Sequence, residues 1–131
     1  MDFELTKEQK DIARAAREFA QGEFPERAEE FDRDESFDES LFKKAADLGF
    51  VGVNIREENG GPGLGILEAC LIGEEFNAVD AGIAISILSS TFGAEIIQDF
   101  GSGEQKKKYL PPLVQGKTVM GTALTEPNAG S

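Results

Sequence analysis

The sequence predicts an all-α fold of about six helices that ends in a strand. Three observations carry this. Capping boxes stand at Thr6, Ser36 and Ser102, and apolar residues recur at helical spacing behind them. Beyond Gly116 the pattern changes, because residues 118–124 are strand-like and 126–131 are rich in turn formers. The 131 residues suit one domain of this kind, since a chain this long hides roughly 65–70% of its unfolded surface without disulfide or metal staples.

In chain order, Thr6 with Gln9 opens the first helix, which carries Ile12, Ala16 and Phe19 on one face and is expected to end at Gly22. Phe24-Pro25 restarts the chain, because proline fits a first helical turn where no N–H is required. Residues 23–39 hold nine acids against Arg27 and Arg33, which reads as a solvated face. Ser36 with Glu39 opens the next helix, striped by Leu41, Ala45 and Leu48 and stopped by Gly49. Residues 50–55 are apolar and β-branched and read as extended; 56–65 form a polar, glycine-rich loop. From Ile66, the residues Ile66, Ala69, Cys70 and Gly73 share one side of a helix. Its other positions, Leu67, Leu71, Ile72 and Phe76, are also apolar, so a core helix is expected.

Asp80 caps a further helix through Ile83, Ile85, Ile87 and Leu88, and 94–100 form another, closed by Gly101. Ser102 with Gln105 opens the last helix, through Lys106, Lys107, Lys108 and Tyr109, which Pro111-Pro112 should terminate. A lone terminal strand would leave its ladder groups unmatched, so the 131 residues are expected to be a piece of a longer polypeptide.

Composition excludes several chemistries. With no histidine and a single cysteine, these residues hold no internal disulfide, no multi-cysteine zinc site, no Ser-His-Asp triad and no imidazole metal ligand. Thirteen basic against 25 acidic residues give a net charge of −12, which repels phosphate backbones and anionic headgroups, so neither nucleic acid nor a membrane surface is an expected partner. The most apolar stretch, 81–92, is too short to span a bilayer and reads as a buried helix. Met1 is followed by Asp2, Phe3 and Glu4 rather than by a basic start and an apolar run, and the expected location is the cytoplasm.

Candidate sites are few. Glycines 60, 61, 63 and 65 after residues 50–55 invite a dinucleotide reading with Asp80 downstream. Yet Arg56, Glu57, Glu58 and Asn59 intervene, the third glycine comes one residue early, and the two glutamates would repel a pyrophosphate. Structural turns are the better account. Glu74 and Glu75 point about 100° apart on a helix and cannot act together on one atom, so one of them is expected to be a buried, paired carboxylate. Cys70, with no basic group one turn away, reads as a small core residue rather than a nucleophile. Lys106–Lys108 read as a solvated face whose position near the helix end suits its dipole. The stretch Ala123-Leu124-Thr125-Glu126-Pro127-Asn128-Ala129-Gly130-Ser131 couples a strand end to a loop with hydroxyls and small residues. Residue chemistry leaves open an ordinary strand exit or a backbone able to approach a flat or anionic ligand.

At these last residues the chain resembles the acyl-CoA dehydrogenase family of flavoenzymes. From Ala123 to Ser131 it matches the family's first signature: a small residue, an aliphatic, Thr or Ser, Glu, two variable positions, a small residue, Gly, Ser. Further family-like stretches, in order, are 48–52, the 57–65 loop, Glu74-Glu75, and 100–102 continuing into 105–111. Arg56 and Asn59 depart from the usual proline and aromatic of that loop.

The resemblance implies an N-terminal helical domain over 1–117, the opening of a middle β-barrel domain over 118–131, and a C-terminal helical bundle absent from this chain. FAD is the implied cofactor, with Thr122, Leu124, Thr125, Gly130 and Ser131 as cofactor-binding residues and Ser131 also against the acyl-CoA substrate. Helices within 81–100 would wall the acyl pocket. The implied reaction oxidises an acyl-CoA to the 2,3-enoyl-CoA by α-proton abstraction and β-hydride transfer. Its catalytic base is expected in the absent bundle, so no catalytic residue and no metal ligand is assigned here, and the 131 residues alone are expected to be inactive. Electron-transfer flavoprotein is the implied acceptor, and the whole enzyme is expected to be a homotetramer or dimer. The alternative is a non-catalytic acidic helical module that binds a protein partner.

Overall fold

The Thr6 hydroxyl does open the first helix, as its spacing to Gln9 requires. In the computed structural model, which describes residues 4–130, α1 (Lys7–Glu23) begins with Thr6 Oγ1 accepting from Gln9 N at 3.2 Å while Thr6 N donates to Gln9 Oε1 at 3.0 Å. The Gln9 amide also donates to Glu68 Oε1 at 2.9 Å, and Glu68 Oε2 accepts from Gly65 N at 2.9 Å, so one polar chain ties together the starts of α1 and α4 (Ile66–Asn77). α2 (Pro25–Asp34) follows α1 after Phe24 alone, not after a break at Gly22. Pro25 has no N–H to continue the ladder, and the fully buried Phe24 ring holds the corner.

Two other boundaries differ from the sequence reading. α3 (Glu39–Asp47) is capped by Asp38, whose carboxylate accepts from Ser40 N at 2.7 Å, and not by Ser36. Ser36 is used one element earlier, its N–H closing α2 onto Phe31 O at 3.2 Å behind Glu35 in the left-handed region. After α5 (Ala81–Leu88) and α6 (Ala94–Phe100), the last helix α7 (Gly103–Val114) runs straight through Pro111 and Pro112. Leu110 and Leu113 are fully buried around that pair, and their burial, about 1.5–3 kcal/mol each, offsets the ladder bonds the prolines lack. Because α7 reaches Val114, Lys106–Lys108 lie in its middle turns rather than at its C-terminal end. Asp80 and Ser102 cap α5 and α7 as expected.

Two apolar clusters organise the seven helices found among the described residues. The larger holds Phe19, Phe24, Phe50 and Phe76 with Leu41, Ile72 and Ile87; the smaller holds Ile55, Ala94, Leu110 and Leu113, with Ile97, Val114 and Met120 against it. Residues 50–55 join the two. They are not extended but turned, with Gly52 at φ +68 and Ile55 N donating to Gly52 O at 2.9 Å. Their apolar content fills the clusters instead of a sheet: Val51 and Val53 go to the first, Ile55 to the second. The following loop folds back on this segment through Gly63 N to Ile55 O (2.8 Å) and Leu64 N to Val53 O (3.0 Å). A Cβ on Gly61 would lie 2.1 Å from Ile55 O, so these glycines serve the chain's own close approach, in keeping with the structural reading of the loop.

α4 is less of a core helix than its composition suggests. It buries Ile72 and Phe76, while Ile66, Leu67 and Cys70 are exposed. The expectation of Cys70 as a core residue is therefore corrected: α1 and α5 cover only one stripe of α4, and Cys70 lies outside it. α5 likewise buries Ile83, Ala84 and Ile87 but leaves Ile85 exposed.

Of the adjacent acids on α4, Glu74 is exposed, and Glu75 takes a two-pronged contact from Arg17 of α1, Nε to Oε2 at 2.7 Å and Nη2 to Oε1 at 2.5 Å. The Arg17 hydrogen bonds and charge hold the Glu75 carboxyl below its ordinary range. A carboxyl whose folded-state pKa is depressed adds stability above its unfolded value, and loses it as pH falls through the folded one. The melting-temperature gap between the wild type and Glu75→Gln is therefore expected to be open at neutral pH and to close below about pH 4. A gap constant from pH 7 to 3 would contradict the ion pair.

Candidate functional site

Beyond α7 the chain turns at Gly116 and runs back toward the corner between α5 and α6. No strand forms among the described residues of 118–124, because no second strand offers a ladder; a single parallel bridge joins Met120 to Thr91. Met120 N donates to Ser90 O at 2.7 Å, and the Met120 side chain packs on the smaller apolar cluster. Two residues on, Thr122 Oγ1 lies 3.9 Å from where a Cβ on Gly93 would stand. The chain then reverses at 126–129, where Glu126 N donates to Ala129 O (2.9 Å) and Ala129 N to Glu126 O (3.2 Å) around Pro127 and Asn128.

Every residue from 121 to 130 is exposed, Leu124 by 70%. The sequence-predicted residues Thr122, Leu124, Thr125 and Gly130 thus share one surface segment; Ser131 lies outside the described residues. The segment offers two threonine hydroxyls and a largely unladdered backbone, a donor and acceptor set suited to the edge of a planar heteroaromatic ring. Glu126 takes part through its backbone, which closes the turn.

α5, α6 and their connection turn apolar side chains outward at Ile85, Phe92, Ile96 and Phe100, the last 86% exposed. Ile96, Phe100 and Tyr109 border a groove of about 230 Å³. Larger grooves lie away from residues 118–130: one of about 490 Å³ with Ile12, Phe19, Leu48 and Leu64, and one of about 590 Å³ between α2 and α5 with Phe31, Phe37 and Ile83. Among the described residues no group of three or more Cys, Asp and Glu is arranged to hold a metal ion, and no helix is long and apolar enough to cross a membrane. Sequence reasoning missed the residues that hold the segment, namely Ser90, Thr91 and Gly93. They lie some thirty positions away and carry no local motif, although a Gly between two helical stripes was a signal for a sharp corner.

Residues 6–117 match the family model described as the acyl-CoA dehydrogenase N-terminal domain. Over 131 residues the chain is 41% identical to the acryloyl-CoA reductase (NADH) of Anaerotignum propionicum, covering 100% of this chain and 33% of that protein. It is 38% identical over 127 residues to the mitochondrial isobutyryl-CoA dehydrogenase of Dictyostelium discoideum, covering 97% and 30%. Among solved structures it superimposes on butyryl-CoA dehydrogenase from Megasphaera elsdenii with a TM-score of 0.88 at 36% identity, covering 99% of this chain and 35% of that one. The FAD complex of PigA gives 0.90 at 36% identity, covering 100% and 35%. The chain thus spans about a third of the length of the relatives it matches.

Proposed function

The chain belongs to the acyl-CoA dehydrogenase family, and from that premise we propose that it forms the N-terminal part of an FAD-dependent enzyme acting on acyl-CoA thioesters. The observation that carries the reading is the exposed segment 122–130, whose hydroxyls and backbone fit the edge of a flavin ring. The domain boundary is placed at 117/118, a reading supported by the extent of the family match. Thr122 and Thr125 would hold the ring through their hydroxyls, Leu124 would cover its face, and Gly130 and Ser131 would let the backbone approach the cofactor and the thioester. Ile85 and Phe92 would wall the acyl chain and exclude water.

Bound FAD would supply a hydride acceptor for the β-carbon while a carboxylate takes the α-proton, giving the 2,3-enoyl-CoA. That carboxylate is placed outside these residues, in the C-terminal bundle of the family, so the 131 residues alone are expected to catalyse nothing. Electron-transfer flavoprotein is the proposed acceptor and a homo-oligomer, tetramer or dimer, the proposed state; a chain of the structure described as the electron transferring flavoprotein of Acidaminococcus fermentans, 41% identical with a TM-score of 0.90, supports that pairing.

The test is spectroscopic. The intact polypeptide is expected to carry a flavin absorption band that bleaches on adding short acyl-CoA thioesters. The assay is run in both directions, since one relative is named a reductase. Thr125→Ala is expected to weaken FAD binding by up to about tenfold, the loss of one ring hydrogen bond. A colourless polypeptide after reconstitution with FAD would overturn the proposal and favour the binding module.

A further inference from the structure

The contacts around Met120 point to a positioning device. We propose that the α5–α6 corner, Ser90 to Gly93, together with Met120, sets the register of the flavin-binding segment 122–130; the inference rests on the flavin reading above. A backbone anchor and a side-chain anchor meet there, beside a glycine that leaves them room. Met120 N–H donates to Ser90 O at 2.7 Å, and the backbone of Met120 bridges Thr91 in parallel. The Met120 side chain lies on the apolar cluster of Ile55, Ala94, Leu110 and Leu113. Gly93, at φ +93, turns the corner directly beneath Thr122 and leaves no side chain between them.

The corner itself is stiff. Ser90 is buried and its Oγ donates to Ile87 O at 2.6 Å; Thr91 Oγ1 donates to Leu88 O at 3.1 Å; and Ala94 N donates to Thr91 O at 2.9 Å. These bonds tie Ser90 and Thr91, the two residues that meet Met120, to the last turn of α5 and the first residue of α6. After Met120 the chain has no further hydrogen bond to the helical body among the described residues, only the local turn at 126–129. The place and direction in which the segment leaves the body are therefore decided at residue 120. A slip of one residue there would displace Thr122 and Thr125 along the chain by about 3.3–3.6 Å, the reach of one extended residue, and so move both hydroxyls away from their places.

The test uses the intact polypeptide, with FAD as the probe. Met120→Pro removes the donor to Ser90 O, Met120→Ala removes the side-chain anchor, Gly93→Ala strains the corner, and Met120→Leu conserves the packing. FAD dissociation constants are read by flavin fluorescence quenching, with the position of the visible absorption band as a second readout and far-ultraviolet circular dichroism as the check on folding. The expected result is binding weakened about tenfold by Met120→Pro, with a displaced band, weakening by Met120→Ala and Gly93→Ala, and wild-type behaviour for Met120→Leu. Should Met120→Pro lose its helical signal, the alanine variants decide, weakened binding with a displaced band supporting the device. Affinities within twofold of wild type and an unmoved band in the folded variants would overturn it while leaving the flavin reading intact. A wild type that takes up no FAD would overturn both.

Discussion

Replacing Phe76 with alanine is expected to destabilise the fold by about 3–5 kcal/mol, the range for emptying a fully buried aromatic site. Phe76 is inaccessible to solvent and its ring meets three others, at centroid distances of 5.6 Å to Phe19, 5.2 Å to Phe24 and 5.3 Å to Phe50. Those three come from α1, from the corner before α2 and from the segment after α3, so one ring of α4 joins four parts of the chain. Two of its contacts are edge-to-face, which adds about 0.5–1.5 kcal/mol each beyond area burial and is lost together with the ring. A domain of this size has roughly 5–15 kcal/mol in total, so the variant is expected to populate unfolded states at ambient temperature. Urea denaturation followed by circular dichroism measures the loss. Phe76→Leu, which keeps most of the volume, is expected to lose only about 1–2 kcal/mol. A loss below about 1 kcal/mol for the alanine variant would mean that the cluster collapses onto the gap and is not the keystone of the helical body.

How much of this was legible beforehand follows from how local each cause is. The caps at Thr6, Asp80 and Ser102 were readable because capping joins residues three apart and needs nothing else. The sequence alone favours Ser36 over Asp38 as the cap of α3 because two acceptable capping residues stand two positions apart, and the end of the preceding helix decides which is free. Pro111-Pro112 reads as a stop because the rule for proline is local, whereas the two leucines that carry α7 past it are buried by residues from α6 and from before the glycine loop. The exposure of Cys70 is hidden for the same reason: composition shows that α4 is apolar on most sides, but not which sides the other helices cover. The candidate segment is legible because its residues are contiguous, and the corner that meets it is not, because Ser90 and Met120 meet only through the fold.

The second large effect is expected at Gln98, where one buried amide completes the hydrogen bonds of the glycine loop. Its Oε1 accepts from Arg56 N at 2.7 Å and from Asn59 Nδ2 at 3.4 Å, and its Nε2 donates to Asn54 O at 3.2 Å. Arg56 in turn reaches Asp99 with its guanidinium, Nη2 to Oδ1 at 2.5 Å, so the loop is pinned to α6 from both sides of its first turn. Gln98→Leu preserves volume but leaves a backbone donor at Arg56 and an acceptor at Asn54 without partners. At about 1–3 kcal/mol for each such group, an overall loss of about 2–6 kcal/mol is expected in urea denaturation. Gln98→Glu separates the missing donor from the missing packing. At neutral pH the carboxylate would turn an oxygen toward Asn54 O, whereas the protonated acid could donate to it, so the folded-state pKa of this glutamate would be raised. A carboxyl with a raised folded pKa destabilises the fold above that pKa and ceases to do so as pH falls through it. Measured against Gln98→Leu at each pH, to cancel the acid sensitivity of Glu75, Gln98→Glu is therefore expected to gain stability between pH 7 and 4. If the two variants kept parallel stability across that range, the donor to Asn54 O would not be what holds the loop, and packing of the side-chain stem between Asn54 and Asn59 would have to account for the whole effect.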